Sequence, residues 1–70
     1  MNYEEAFDAI TEGVHVKFIP EYIEHKGRAF LITSLESSGS ALLVYDGSKS
    51  SAGPPEFNHV TADVEQLELL

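Results

Sequence analysis

The sequence predicts a mainly β domain of the α+β class, in which one N-terminal helix precedes a small antiparallel barrel or strongly bent sheet of about five strands. Apolar residues recur at helical spacing only near the start of the chain, and at a period of two afterwards. Short apolar runs then alternate with turns that contain Gly, Ser or Pro. With 70 residues, the chain is expected to form a single domain, 1–70.

The helix is predicted over residues 2–13. Asn2 can cap its first turn, Glu5 stands three residues further on as in a capping box, and Gly13 can take the left-handed conformation that ends a helix. The apolar residues are spaced i, i+3, i+4, i+7 and predict one face turned to the core: Tyr3, Ala6, Phe7 and Ile10.

The β-rich body, 14–70, begins where the apolar period changes to two. Val14, Val16 and Phe18 share one face of a predicted first strand. Pro20 cannot donate a hydrogen bond to a neighbouring strand, so it marks a bulge, an edge or a bend, beyond which 21–25 could continue the strand. Gly27 is expected to supply the turn to the next strand.

The second strand is predicted over residues 28–36 and is apolar on both faces. One predicted face carries Ala29, Leu31, Thr33 and Leu35, and the other carries Phe30 and Ile32. The later elements are predicted to be strands at 41–45, 57–61 and 67–70, with a single helical turn at 62–66. Residues 47–55 are predicted to form a flexible loop with no element of its own.

About five short antiparallel strands with a helical turn before the last one are the arrangement of an SH3-like barrel. Strands that are apolar on both faces need cover on both sides. One short helix covers only part of the outer side, so we expect a homo-oligomer, most simply a dimer.

Twelve acidic residues against four basic ones give a net charge of −8. A field of this sign repels nucleic acid phosphates and anionic membranes, and it suits either a basic protein partner or plain solubility. No apolar run approaches the ~20 residues of a membrane-spanning helix, and the acidic N-terminus is unlike a signal peptide. The expected location is the cytoplasm.

The sequence predicts no catalytic residues, no metal site and no cofactor. There is no cysteine, and the three histidines, His15, His25 and His59, show no ligand spacing. No Gly-x-Ser-x-Gly elbow and no glycine-rich phosphate loop occur. Glu21 and Glu24 have no predicted apolar pocket that would raise the pKa of one of them.

Two groups of side chains are candidate binding sites. The first is the acidic helix face, Glu4, Asp8 and Glu12, whose carboxylates at i, i+4 lie about 6 Å apart and could imitate the phosphates of a nucleic acid. The alternative is a solvated face opposite the core.

The second candidate site combines aromatic and cationic side chains that could hold a nucleotide-like anion: Tyr22, His25, Lys26, Arg28 and Tyr45. Its alternative is a hairpin turn in which the two cations pair with Glu21 or Glu24.

The two ends of the chain carry a family resemblance. The opening "MNYEEAFDAITEGVHV" and the closing "TADVEQLELL" resemble the phage anti-defence sponge family that counters Thoeris immunity. The resemblance implies a small β-rich oligomer that sequesters a nucleotide signal in the host cytoplasm without cleaving it. The family tends to carry tryptophans after the first strand and near the end, and this chain has none. The resemblance therefore assigns no ligand residue here.

Two functions from different classes are therefore expected. The first is sequestration of a nucleotide-like immune signal by a phage or mobile-element protein. The alternative is an acidic inhibitor that occupies the basic, nucleic-acid-binding site of a host defence protein by mimicry.

Overall fold

The computed structural model describes residues 1–20 and 25–70. In chain order, the helix and strands are α1 (Tyr3–Glu12), β1 (Val16–Phe18), β2 (Phe30–Leu35), β3 (Ser40–Tyr45), β4 (His59–Asp63) and β5 (Leu67–Leu69). Single turns of 3-10 helix occupy Gly47–Lys49 and Val64–Gln66. The helices in these ranges lack the combination of length and hydropathy that a membrane-spanning helix needs.

The strands form one antiparallel sheet in the order β4-β3-β2-β1-β5. Within the described ranges β4 and β5 are the two edges and do not pair with each other, so the sheet is not closed. The predicted fold class, a mainly β α+β domain with an N-terminal helix and about five antiparallel strands, is confirmed. Of the two predicted forms of the strands, an SH3-like barrel or a bent sheet, the described strands form an open sheet and not a closed barrel. The helical turn predicted before the last strand is also present, at Val64–Gln66.

Both ends of α1 are capped by the residues that the sequence indicated. The Glu5 backbone N–H donates to the Asn2 side chain at 2.8 Å, and the Asn2 backbone N–H donates to the Glu5 carboxylate at 3.0 Å. Gly13 ends the helix at φ 67°, a left-handed conformation that costs glycine little. The boundaries of α1 are thus set by residues within four positions of each end.

The predicted core face of α1 is wrong in two of its four residues. Ala6 and Ala9 are buried, at 0% and 3% exposure, whereas Tyr3 and Phe7 are 44% and 56% exposed. The helix packs against β2, and small alanine side chains allow the two backbones to approach closely. The helix is therefore turned so that Ala6 and Ala9 face the sheet and the aromatic pair lies at its margin.

The core lies between α1 and one face of the sheet, with Val16, Phe30, Leu43 and Leu67 among its fully buried side chains. The predicted assignment of residues to the two faces of β2 is wrong at the C-terminal end of the strand. A register shift between Ile32 and Ser34 inserts a bulge, and the partly buried Leu35 packs against the core instead of sharing the face of Leu31. A bulge adds one residue to a strand and so reverses the faces beyond it.

The predicted loop 47–55 does contain an element, because Gly47–Lys49 forms a turn of 3-10 helix. The Asp46 carboxylate caps this turn by accepting from the Ser48 backbone N–H at 3.0 Å. The predicted continuation of the first strand over 21–24 lies outside the described residues, and β1 ends at Phe18, just before a cis Ile19–Pro20 peptide.

Candidate functional site

The structure describes four of the five predicted ligand residues: His25 and Arg28 line pockets, and Lys26 and Tyr45 do not. Tyr22 lies outside the described residues. Lys26 is exposed and lines neither of the two pockets described below. His25 stacks on Phe18, with ring centroids 4.3 Å apart and planes at 13°, and meets Phe30 edge-on at 5.7 Å. Its ring thus covers one end of the core while remaining partly exposed.

Arg28 extends across the turn before β2 to the 47–55 loop. Its Nε donates to the Gly53 carbonyl at 2.7 Å and its Nη2 donates to the Pro54 carbonyl at 3.2 Å. The adjacent Gly27 carbonyl accepts from the backbone N–H groups of Ser51 and Ala52, at 2.8 and 3.1 Å. The loop is therefore attached to the 27–28 turn through both backbone and guanidinium.

Tyr45 holds the same loop from β3. Its hydroxyl donates to the Ala52 carbonyl at 2.5 Å, and its ring packs edge-on against Phe30 with centroids 6.2 Å apart. Tyr45 lines neither pocket, so its predicted ligand role has no support from its position. The sequence alone does not show whether the hydroxyl of a tyrosine at a strand end, such as Tyr45, binds a ligand or a loop carbonyl.

A pocket of about 210 Å³, here called the cationic pocket, gathers Lys17, Arg28 and Lys49, three of the four cationic side chains of the chain. The rest of its lining is Gly27, Ala29, Ser51 and Leu70. Lys17 also pairs with Glu68 on β5, at 3.3 Å. Sequence reasoning missed Lys17 and Lys49, because they come from β1 and from the 3-10 turn and meet only when the loop folds back onto Gly27.

A second pocket of about 220 Å³, here called the aromatic pocket, is lined by His25, Arg28, Pro55, Glu56, Phe57 and Val60. Phe57 is 69% exposed, so its ring is available to a ligand. Arg28 lines both pockets and forms their common boundary. Each pocket alone is smaller than the ~300–1,000 Å³ of ordinary ligand sites.

His15 and Asp46 lie near the cationic pocket and fix the turn that carries Lys49. The Asp46 carboxylate accepts from the Ser48 hydroxyl at 2.6 Å and lies 2.7 Å from the Nε2 of His15. Hydrogen bonds from the Ser48 hydroxyl, from His15 and from the Ser48 backbone N–H lower the pKa of Asp46 to about 2. Ser48 donates to the carboxylate and not to His15, which differs from the nucleophile–base contact of a catalytic triad.

The acidic candidates Glu4, Asp8 and Glu12 are all exposed. The structure thus confirms that they face away from the core, opposite Ala6 and Ala9. In the described part of the chain, no three His, Asp or Glu side chains gather in an arrangement that could hold a metal ion.

The chain was compared with protein-family models, with curated proteins and with solved structures. No family model, no curated protein and no solved structure matched it. Its function is therefore inferred from the two pockets and from the exposed face of α1.

Proposed function

We propose that the protein is a non-catalytic binding protein that sequesters a nucleotide-like immune signal. In this proposal it is encoded by a phage or mobile element and inhibits host defence in the host cytoplasm. The observation that carries this proposal is the position of Arg28. It separates a pocket lined by cations from a pocket lined by aromatic rings, and a nucleotide combines an anionic group with a ring.

The cationic pocket suits the phosphate groups of such a ligand. Lys17, Arg28 and Lys49 carry N–H donors, and charge-assisted hydrogen bonds to phosphate are roughly twice as strong as neutral ones. The net charge of −8 opposes an anion at long range. Exposed charges more than about 8–10 Å away are largely screened at physiological salt, so the local charges dominate at contact. These are the three cations and Glu68, which lies 3.3 Å from Lys17.

The aromatic pocket suits the base. The exposed ring of Phe57 offers a surface on which a planar heterocycle can stack, and His25 lines the same pocket. Such stacking contributes about 1–3 kcal/mol per base in proteins that bind single-stranded nucleic acids. It involves no bond cleavage, in keeping with sequestration.

A homo-oligomer, a dimer or higher, forms part of the proposal. Leu31, Leu42 and Val44 lie on the outer face of β2 and β3 and are only half-buried. Each pocket is also small for a whole nucleotide, and a second subunit could supply further wall. Light scattering coupled to size-exclusion chromatography tests this part, and a monomer at all concentrations would contradict it.

The resemblance of the two chain ends to the Thoeris-countering sponge family supports the same ligand class. The stretches that carry it are α1 with its terminal Gly13, and the last helical turn with β5. They frame the sheet without lining the aromatic pocket. The resemblance thus supports a nucleotide as the class of ligand, whereas the two pockets support the place where the ligand would bind.

Calorimetric titration with cyclic ADP-ribose, ADP-ribose, AMP and inorganic phosphate tests the proposal. We expect a nucleotide to bind more tightly than phosphate alone, because only the nucleotide reaches both pockets. Lys49→Gln should weaken binding about 10-fold, or ~1.4 kcal/mol, since it removes one charged donor. Lys26→Gln is the matched control, because it makes the same charge change on an exposed lysine that lines neither pocket.

Equal losses in the two lysine variants would show that only overall charge matters and would remove the assigned site. Binding of none of the nucleotides would reject sequestration of this ligand class.

The alternative, occupation of a basic nucleic-acid-binding site of a host defence protein, is favoured by the exposure of Glu4, Asp8 and Glu12 on a helix with no basic residue in its last turn. Capture of a nucleic-acid-binding protein from host lysate tests it. The Glu4→Lys/Asp8→Lys variant should lose such a protein and the matched Glu36→Lys/Glu56→Lys variant should retain it. Equal capture of such a protein by the two variants would contradict the mimicry alternative.

A further inference from the structure

Two aromatic side chains of α1 are exposed although the sequence places them at core spacing. Tyr3 and Phe7 are i, i+4 neighbours, and they line one shallow depression with Asn2 and Glu4. Their rings are 44% and 56% exposed. Aromatic side chains bury about 150–250 Å² when fully covered, so roughly half of that area per ring remains for a partner.

Pairs of apolar residues at i, i+4 are the usual anchors when a helix meets another amphipathic segment. Aromatic residues are also enriched among those whose truncation costs most binding energy. Neither side chain is held by the core, since the inward positions of α1 are taken by Ala6 and Ala9. Folding therefore does not require large rings at positions 3 and 7.

The charges around the pair select its occupant. Glu4 and Asp8 follow Tyr3 and Phe7 directly in sequence and are exposed beside them, and α1 contains no basic residue. In a twofold contact through this face, each copy would bring the same carboxylates towards those of its partner. An anionic lipid surface would be repelled in the same way.

We propose that the Tyr3–Phe7 face of α1 docks a basic amphipathic protein segment, whose apolar residues cover the two rings and whose Lys or Arg side chains meet Glu4 and Asp8. This docking site is independent of the two pockets, which contain no residue of α1. It also differs from mimicry of nucleic acid, which needs the carboxylates but not the rings.

Fluorescence anisotropy of a labelled peptide tests the proposal on the full chain. The probe is a 14-residue amphipathic peptide of leucine and lysine, and the control peptide has glutamate in place of lysine. We expect saturable binding of the leucine–lysine peptide only. Phe7→Ser should weaken it about 10-fold or more, as for a central aromatic anchor. The control is Leu69→Ser, which removes an exposed apolar side chain outside α1 and outside both pockets.

A second pair of variants isolates the charge. Glu4→Gln/Asp8→Asn should weaken binding several-fold. Glu36→Gln/Glu65→Gln has the same net charge at exposed positions outside α1 and both pockets, and it should leave binding within about 2-fold because surface charges act locally. Circular dichroism checks that each variant is folded. If Phe7→Ser is not folded, Tyr3→Ser provides the same test.

Three results would overturn the proposal. Equal effects of Phe7→Ser and Leu69→Ser would mean that the rings of α1 are not the anchor. Loss of binding in the charge variant alone would mean general attraction of a cationic peptide. A dimer in sedimentation that dissociates on Phe7→Ser would mean that a second copy of this chain covers the face.

Discussion

Replacing Gly27 by alanine is expected to destabilise the protein, because this residue joins the turn before β2 to the 47–55 loop. Gly27 has φ 77°, in the left-handed region. A Cβ there would lie 2.7 Å from the Ser51 hydroxyl oxygen and 3.4 Å from the Ala52 Cβ. The same residue accepts the Ser51 and Ala52 backbone N–H groups through its carbonyl, so strain at Gly27 is transmitted to the loop.

The expected loss of stability in Gly27→Ala has two sources, the left-handed backbone conformation and the contact of the new Cβ with the Ser51 hydroxyl oxygen. A non-glycine residue in the left-handed region costs roughly 1–2 kcal/mol. The Ser51 side chain can rotate away from the new methyl group, and holding it off its rotamer costs about 0.5–1.5 kcal/mol. Together these terms lower the free energy of unfolding by about 1.5–3.5 kcal/mol, which is ~6–28 °C in Tm for a domain of this size.

Thermal unfolding followed by far-UV circular dichroism measures this loss. Gly53→Ala is the matched control in the same loop, because Gly53 does not have a positive φ and a Cβ there would meet nothing within 4 Å. We expect that variant to change stability by less than about 1 kcal/mol in either direction. If the two variants lose equal stability, or if Gly27→Ala melts like the wild type, the reasoning about the 27–28 turn is refuted.

Three further predictions concern the core, the loop and pH. Leu43→Ala should cost about 2–5 kcal/mol in denaturant unfolding and Leu42→Ala clearly less, because only Leu43 is fully buried; equal costs would contradict the assigned core face. Tyr45→Phe should cost about 0.5–1.5 kcal/mol in the same assay by removing the hydrogen bond to Ala52, and an unchanged midpoint would show that this bond contributes nothing. The pKa of Asp46 is lowered from 3.8 to about 2 in the folded chain, so its contribution to stability is complete above the unfolded value and is lost as pH falls towards 2. Asp46→Asn should therefore reduce the difference in stability between pH 5 and pH 2, and an unchanged difference would exclude this carboxylate as a cause.

The features predicted correctly from sequence are those fixed by near neighbours. The caps of α1 involve Asn2, Glu5 and Gly13, and each acts on backbone groups within a few residues. The turn at Gly27 needs a positive φ, which the residue type itself indicates. The succession of short strands follows from the same local turn signals, and so does the fold class.

The features predicted wrongly depend on contacts between distant segments. The rotation of α1 is decided by how closely the helix approaches β2, and helical spacing alone cannot distinguish Ala9 from Phe7 as the inward residue. Leu35 changes faces because of a bulge that its own sequence does not mark.

Five side chains are proposed to contact the ligand: two of them, His25 and Arg28, were predicted from the sequence, and Lys17, Lys49 and Phe57 were not. His25 and Arg28 were found because they lie together in the sequence as well as in space. Lys17 and Lys49 were missed because the fold, and not the sequence, brings them to Arg28.

In the described residues the contact between β1 and β2 is short, so we expect the sheet to have two parts that open separately. Among the described residues, these strands share one register pair, Val16 with Phe30, whereas β1 and β5 share three pairs. We therefore expect β1 and β5 to exchange amide protons together, at a rate different from that of β2, β3 and β4. Lys17 lies on one side of the boundary and Arg28 on the other, so an anion that contacts both would slow exchange in β1 and β5 more than in β4.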